Sequence, residues 1–122
     1  MQLHYLDFDF SDEDSGRGSF DAMASVATSR LPALLAEMAA VLGWAGRAFG
    51  PPGALQDEGE WDYELQGIVE PDTPLEVGYD EGRGEVSLIP AVAGTALTTM
   101  TLTLSGSPGF CEAFREAFGV TD

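Results

Sequence analysis

Five carboxylates in this chain have the spacing that chemistry uses: Asp7 and Asp9 near its start, and Glu60, Asp62 and Glu64 at its middle. Residues two apart on a β-strand share a face and lie roughly 6.5–7 Å apart. Each group is therefore a ladder of like charges that repel modestly in water. Were the two strands neighbours, repulsion across them would add to this, and a divalent cation or a basic partner would relieve both. Paired carboxylates also act as general acid and base, as in glycosidases. That chemistry needs a concave, partly dry site to split their pKa values, which an open strand face lacks. A solvated face that serves solubility alone is the plainer account of the same residues.

The other reactive side chains are few. His4 is the only histidine and Cys111 the only cysteine, so Ser-His-Asp or Cys-His catalysis would have to recruit them from distant points of the chain. His4 falls on the apolar side of a predicted first strand. Cys111 adjoins Phe110 on a core-packing helix, where cysteine is ordinarily a small buried hydrophobe. Neither a G-x-S-x-G elbow nor a papain-like cysteine context accompanies them. One cysteine and one histidine cannot build a common zinc site. Asp12-Glu13-Asp14-Ser15-Gly16 looks like the start of an EF-hand loop, but its glycine is fifth instead of sixth and no glutamate stands twelfth. A solvated acidic turn is the better reading. Trp61 and Tyr63 alternate with the acids and could stack a ligand, though aromatics at strand spacing are more often core. Arg17 and Arg83 sit in glycine-flanked turns and could grip an anion, though isolated surface arginines are common. The expectation is no catalytic residue, no metal site and no cofactor.

Charge narrows the partners further. The chain has 122 residues, 21 acids against five arginines, no lysine, and a formal net charge of -16. Five scattered arginines cannot neutralise a phosphate backbone or hold an anionic membrane. Without lysine there is no P-loop and no Schiff base. Asparagine is missing too, and since both residues have A-rich codons, the joint absence reads as a GC-rich, bacterial genome. Eleven acids fall between Asp57 and Glu85, whereas Val86 to Cys111 holds no charged residue. This separation gives one part of the surface a strong negative field and leaves another neutral. The start of the chain, MQLHYLDFDF, does not read as a signal peptide. A lone cysteine calls for no oxidising compartment, which makes a cytoplasmic protein the default.

The elements that must position these residues follow from hydrophobic period. Leu3 to Phe10 reads as a first strand, Ser11 to Gly18 as a turn, and Ser19 to Ala27 as the return strand, with Asp21, Met23 and Ser25 alternating against apolar neighbours, a short helix being the alternative there. Thr28 and Ser29 are suitable N-caps for a helix that carries Pro32 in its first turn and stops at Gly50-Pro51-Pro52-Gly53. The apolar stretch Leu31–Phe49 is interrupted by Pro32, Glu37 and Arg47 and is rich in alanine, so it reads as a buried helix and not as a membrane span. Glu60 to Val69 alternates cleanly. Pro71 and Pro74 bracket a turn, and Leu75–Tyr79 with Glu85–Pro90 read as a hairpin. Leu97 to Leu104 is a threonine-rich strand, and Ser107-Pro108 opens a last helix with Phe110, Phe114 and Phe118 on its core face and Gly119 as its C-cap.

The expected fold is a single α+β domain over residues 1–122, of order β-β-α-β-β-β-α. A mostly antiparallel sheet of about five strands packs both helices on one face, leaving the other to solvent or a partner. The reading favours a protein without catalysis that engages a basic protein partner through Asp7, Asp9, Glu60, Asp62 and Glu64. A homodimer through the Leu31–Phe49 helix or the Leu97–Leu104 strand is compatible with it; nucleic acid and membrane are not expected. The rival is an enzyme or a small-ligand or divalent-cation-binding domain built on the same carboxylates.

Overall fold

The alternation of apolar and polar residues folds as one antiparallel sheet. The computed structural model describes residues 2–53, 59–90, 92 and 94–120. Among them are six strands, β1 (Asp9–Asp12), β2 (Gly18–Val26), β3 (Trp61–Val69), β4 (Thr73–Asp80), β5 (Glu85–Ile89) and β6 (Thr98–Gly106), and two α-helices, α1 (Leu31–Phe49) and α2 (Pro108–Phe118). The strands lie in the order β1-β2-β6-β3-β4-β5, and each neighbouring pair is antiparallel. The α+β class, with both helices on one face, is as the sequence indicates. The count is six instead of about five: each of the six strand-like runs in the sequence forms a strand, so the expected order β-β-α-β-β-β-α is one strand short, and Pro74 lies within β4 instead of in the turn before it.

β6 comes last among the strands and lies in the middle of the sheet. It pairs along its whole length with β2 on one side and β3 on the other. Its even residues Met100, Leu102 and Leu104 are fully buried, as are Phe20 of β2 and Trp61 of β3. Phe110 and Phe114 of α2 complete this core. The Phe110 ring lies parallel to the Trp61 indole at 5.9 Å, and Phe114 sits 4.2 Å from Phe20 and 5.8 Å from Trp44 of α1. Such aromatic contacts add to the burial of apolar area that dominates stability. Gly106 is required here by space: a Cβ would stand 2.2 Å from the Phe110 ring.

The helix ends follow the sequence with one exception. Ser107 caps α2 by accepting a hydrogen bond from the Phe110 N–H, and Gly119 closes it in the left-handed conformation. α1 is entered through a 3-10 turn, Thr28–Arg30, without a side-chain cap. The Thr28 hydroxyl donates instead to the Gly94 carbonyl at 2.9 Å, tying the segment before β6 to the start of the helix.

The first strand differs most from expectation. Pairing begins at Asp9 and not at Leu3, although Leu6 and Phe8 are buried. The cause is Glu37, the one acid of α1. Its carboxylate accepts the backbone N–H groups of His4, Tyr5 and Leu6. Consecutive N–H groups of a strand point to opposite sides, so three of them meeting one carboxylate require a turning backbone. The Glu37 contact thus fastens residues 4–6 to the helix in place of the sheet.

Glu37→Ala leaves three amides without their acceptor, two of them partly buried. The expected cost is about 2–3 kcal/mol, from the loss of hydrogen bonds to a charged group. Denaturant titration reads the loss, and hydrogen exchange at residues 4–6 should accelerate while β6 stays protected.

Candidate functional site

The face of the sheet away from the helices is open, and the strand registers decide what stands on it. Asp9 opposes Asp21, Asp21 opposes Thr103, and Thr103 opposes Glu64, making one row across β1, β2, β6 and β3. Ser19, Ser105 and Asp62 make the next row, and Met23, Thr101 and Gln66 another. On the other half, Glu76 opposes Ile89 and Asp80 opposes Glu85 on the same side. The open face therefore carries Asp9, Asp21, Asp62, Glu64, Glu76, Asp80 and Glu85. No strand contains a basic residue: Arg17 and Arg83 are in turns, Arg30 in the 3-10 turn, Arg47 in α1 and Arg115 in α2.

The middle of this face is uncharged. Thr99, Thr101, Thr103 and Ser105 of β6 run down it, and two of their hydroxyls bind acids on either side. Thr103 donates to Asp21 at 2.7 Å, and Thr99 donates to Glu70 at 2.6 Å while its hydroxyl also meets that of Ser25. Met23 stands beside this polar stripe with 67% of its surface exposed, between Asp21 and Ser25 on the open face of β2.

The five acids singled out from sequence do not meet. Asp7 lies in the segment before β1, in a cavity of about 530 Å³ shared with residues 117–120 at the end of α2. Asp9 is on the edge strand, and β2 and β6 separate it from β3. The Asp7–Asp9 ladder on one strand face is thus absent, because only Asp9 is in a strand, and the two acidic strands are not neighbours. Glu60 precedes β3 and is engaged structurally. Its carboxylate accepts the Ser107 hydroxyl at 2.6 Å, and its carbonyl accepts the Ser107 N–H, placing a negative charge where the α2 dipole favours one. Asp62 and Glu64 alone share the expected face. Among the described residues no group of three or more histidine, cysteine or acidic side chains is arranged to hold a metal ion. Asp21 and Met23 join the face through the alternation of β2, which the sequence shows; Glu76, Asp80 and Glu85 join it through the β4–β5 hairpin register.

The remaining reactive groups take structural positions. His4 is exposed and contributes its backbone N–H to Glu37, so it is not on the apolar side of a strand. Cys111 is 4% exposed, and burial pushes its thiol up from the usual range. The Trp61 indole N–H donates to the Gly50 carbonyl within the core. The acidic turn from Asp12 to Gly16 closes the β1–β2 hairpin, with Gly16 at φ +87° and the Ser15 hydroxyl on Glu13. No helix among the described residues is long and apolar enough to cross a membrane.

Burial, and then the Glu81 carboxylate, raises the Tyr63 and Tyr79 hydroxyls above the ordinary tyrosine value of 10.0; near Tyr79, Arg47 acts in the opposite sense. A folded-state pKa above the unfolded one gives stability that is complete below the unfolded pKa and is lost as pH rises through the folded one. Stability should therefore fall from about pH 10 upward, and a Tyr63→Phe/Tyr79→Phe variant should lose less of it there than the parent. Denaturant midpoints across that range, with tyrosinate absorbance, check this.

Comparison with known proteins found no family model, curated protein or solved structure that matches the chain.

Proposed function

We propose that the protein acts without catalysis, as an interaction module whose acidic sheet face engages a basic protein partner. The observation that supports this most is the distribution of charge: seven acids on an open face built from strands that contain no basic residue. A field of one sign over a flat surface steers an oppositely charged partner and sets its orientation. Affinity needs a desolvated anchor as well, and Met23 offers an exposed apolar side chain next to Asp21 on the same face. The acids used are Asp9, Asp21, Asp62 and Glu64, so Asp7 and Glu60 leave the site. The lone buried Cys111, which needs no oxidising compartment, fits a cytoplasmic setting. Self-association belongs to the same reading. α1 turns Ala33 and Ala36 outward, whereas the 97–104 strand is internal to the sheet and offers only its threonine side.

The test is capture on the immobilised protein at low salt. Recovered partners should be basic, should weaken by about tenfold or more between roughly 0.05 and 0.5 M salt, and should be lost with Asp21→Asn/Asp62→Asn/Glu64→Gln. Glu112→Gln/Glu116→Gln on α2 removes charge elsewhere and should keep them. A protein that recovers no partner, or complexes that ignore both salt and the triple substitution, would rule the proposal out.

A further inference from the structure

An open six-stranded sheet has two edges, and the two are unlike. β1 has four residues, of which Asp9 and Asp12 are charged. Short, charged edges resist pairing with another strand. β5 is different: its only charge, Glu85, is at one end, and Ile89 at the other end is 63% exposed. Among the described residues no strand or loop pairs with its outer side. Beside it, on the helix side, runs a groove of about 320 Å³ lined by Pro32, Leu35, Ala36 and Ala39 of α1 and by Gly84, Glu85 and Val86, so that Glu85 is its one charged residue. The uncovered backbone of β5 and this groove lie on the same margin of the molecule.

We infer that β5 pairs with β5 of a second copy of this chain, antiparallel about Ser87. This centre pairs all five residues. It sets Glu85 opposite Ile89 of the second copy and Val86 opposite its Leu88, so no carboxylate faces another. Directly opposed like charges would destabilise the pair. With matching faces on the same side, the sheet continues through the contact, the two α1 helices approach along their grooves, and both acidic faces stay open. The inference rests on the self-association part of the proposed function and not on the acidic face.

Charge gives the contact a distinctive response. Each copy carries -16, so the two repel at long range while meeting where they are nearly neutral. Screening removes the repulsion and leaves the contact. Dimerisation should therefore strengthen with salt, whereas binding of a basic partner weakens with it.

Sedimentation of the intact protein at about 0.05 and about 0.5 M sodium chloride tests this, the dimer fraction rising with salt. Ser87→Asp sets two carboxylates against each other at the centre and should weaken association about tenfold or more. Ser11→Asp makes the same charge change on the other edge and should leave association at the parent level. Ser87→Cys should give a disulfide-linked dimer on mild oxidation, because opposed Cα atoms lie about 4.5–5.5 Å apart, within disulfide reach; Ser11→Cys should not. The inference is overturned by a monomer at both salt concentrations, by a dimer that Ser87→Asp leaves intact, or by equal cross-linking from Ser11→Cys. A monomer that still binds a basic partner would remove this inference and leave the acidic-face proposal standing.

Discussion

Strand β6 is the element on which the arrangement depends, because it is the uncharged strand that lets two acidic halves share one sheet. Asp21 of β2 and Glu64 of β3 both oppose Thr103, so two strand spacings, roughly 9.5 Å, separate their backbones. Side by side, two such charges in water would repel by about 0.9 kcal/mol; with β6 between them the figure falls to about 0.4 kcal/mol. That separation is also close to the screening length at moderate salt. The insertion does more than keep distance, since the Thr103 and Thr99 hydroxyls donate to Asp21 and Glu70. Where acids do oppose each other directly, as at Asp9–Asp21 and Asp80–Glu85, the pair lies toward an edge of the sheet, where water reaches it.

The other side of β6 sets the core. Met100, Leu102 and Leu104 present a strip on which α2 lies, and the helix covers it with phenylalanines spaced four apart. Phe110 reaches Trp61 of β3 and Phe114 reaches Phe20 of β2, so one helix bridges strands that are not neighbours. Trp44 brings α1 to the same cluster. Because both helices are used on this side, none remains to cover the other. The openness of the acidic face is therefore a consequence of where the aromatic residues are, and its acids are what an uncovered sheet face can carry without cost to the core.

Much of this was legible in the sequence, and what escaped has a physical reason. Period two in residues 19–26, 61–69 and 98–106 identifies both the strands and their buried sides, because side chains in a strand alternate whatever its partner. Ser107-Pro108 and Gly119 mark the ends of α2 since capping is local. Strand order is not local, and nothing in the Asp9 or Asp62 neighbourhood says that two other strands lie between them. Leu6 and Phe8 satisfy the strand pattern and are buried, yet the backbone of residues 4–6 is held by Glu37, some thirty residues away, and a carboxylate that binds main-chain amides leaves no pattern in its partners' side chains. For the same reason Glu60 reads as one rung of a ladder, while its oxygen is committed to Ser107.

The uncharged run from Val86 to Cys111 takes on a different meaning once placed in the fold. As sequence it suggests a neutral surface set against an acidic one. In the structure half of it is β6 and the start of α2, where an ionised side chain facing the helices would be desolvated at prohibitive cost, and where one on β6 facing outward would narrow the gap between the acids of β2 and β3. Its neutrality there follows from position. Of the two strands in this run, β5, with Val86 to Ile89, is at an edge, and there the absence of charge has no such explanation: β1, at the opposite edge, carries two aspartates in four residues. An edge strand gains protection from charge, so a protein with this excess of acids that leaves β5 almost free of them keeps available the one margin where a second chain can approach closely.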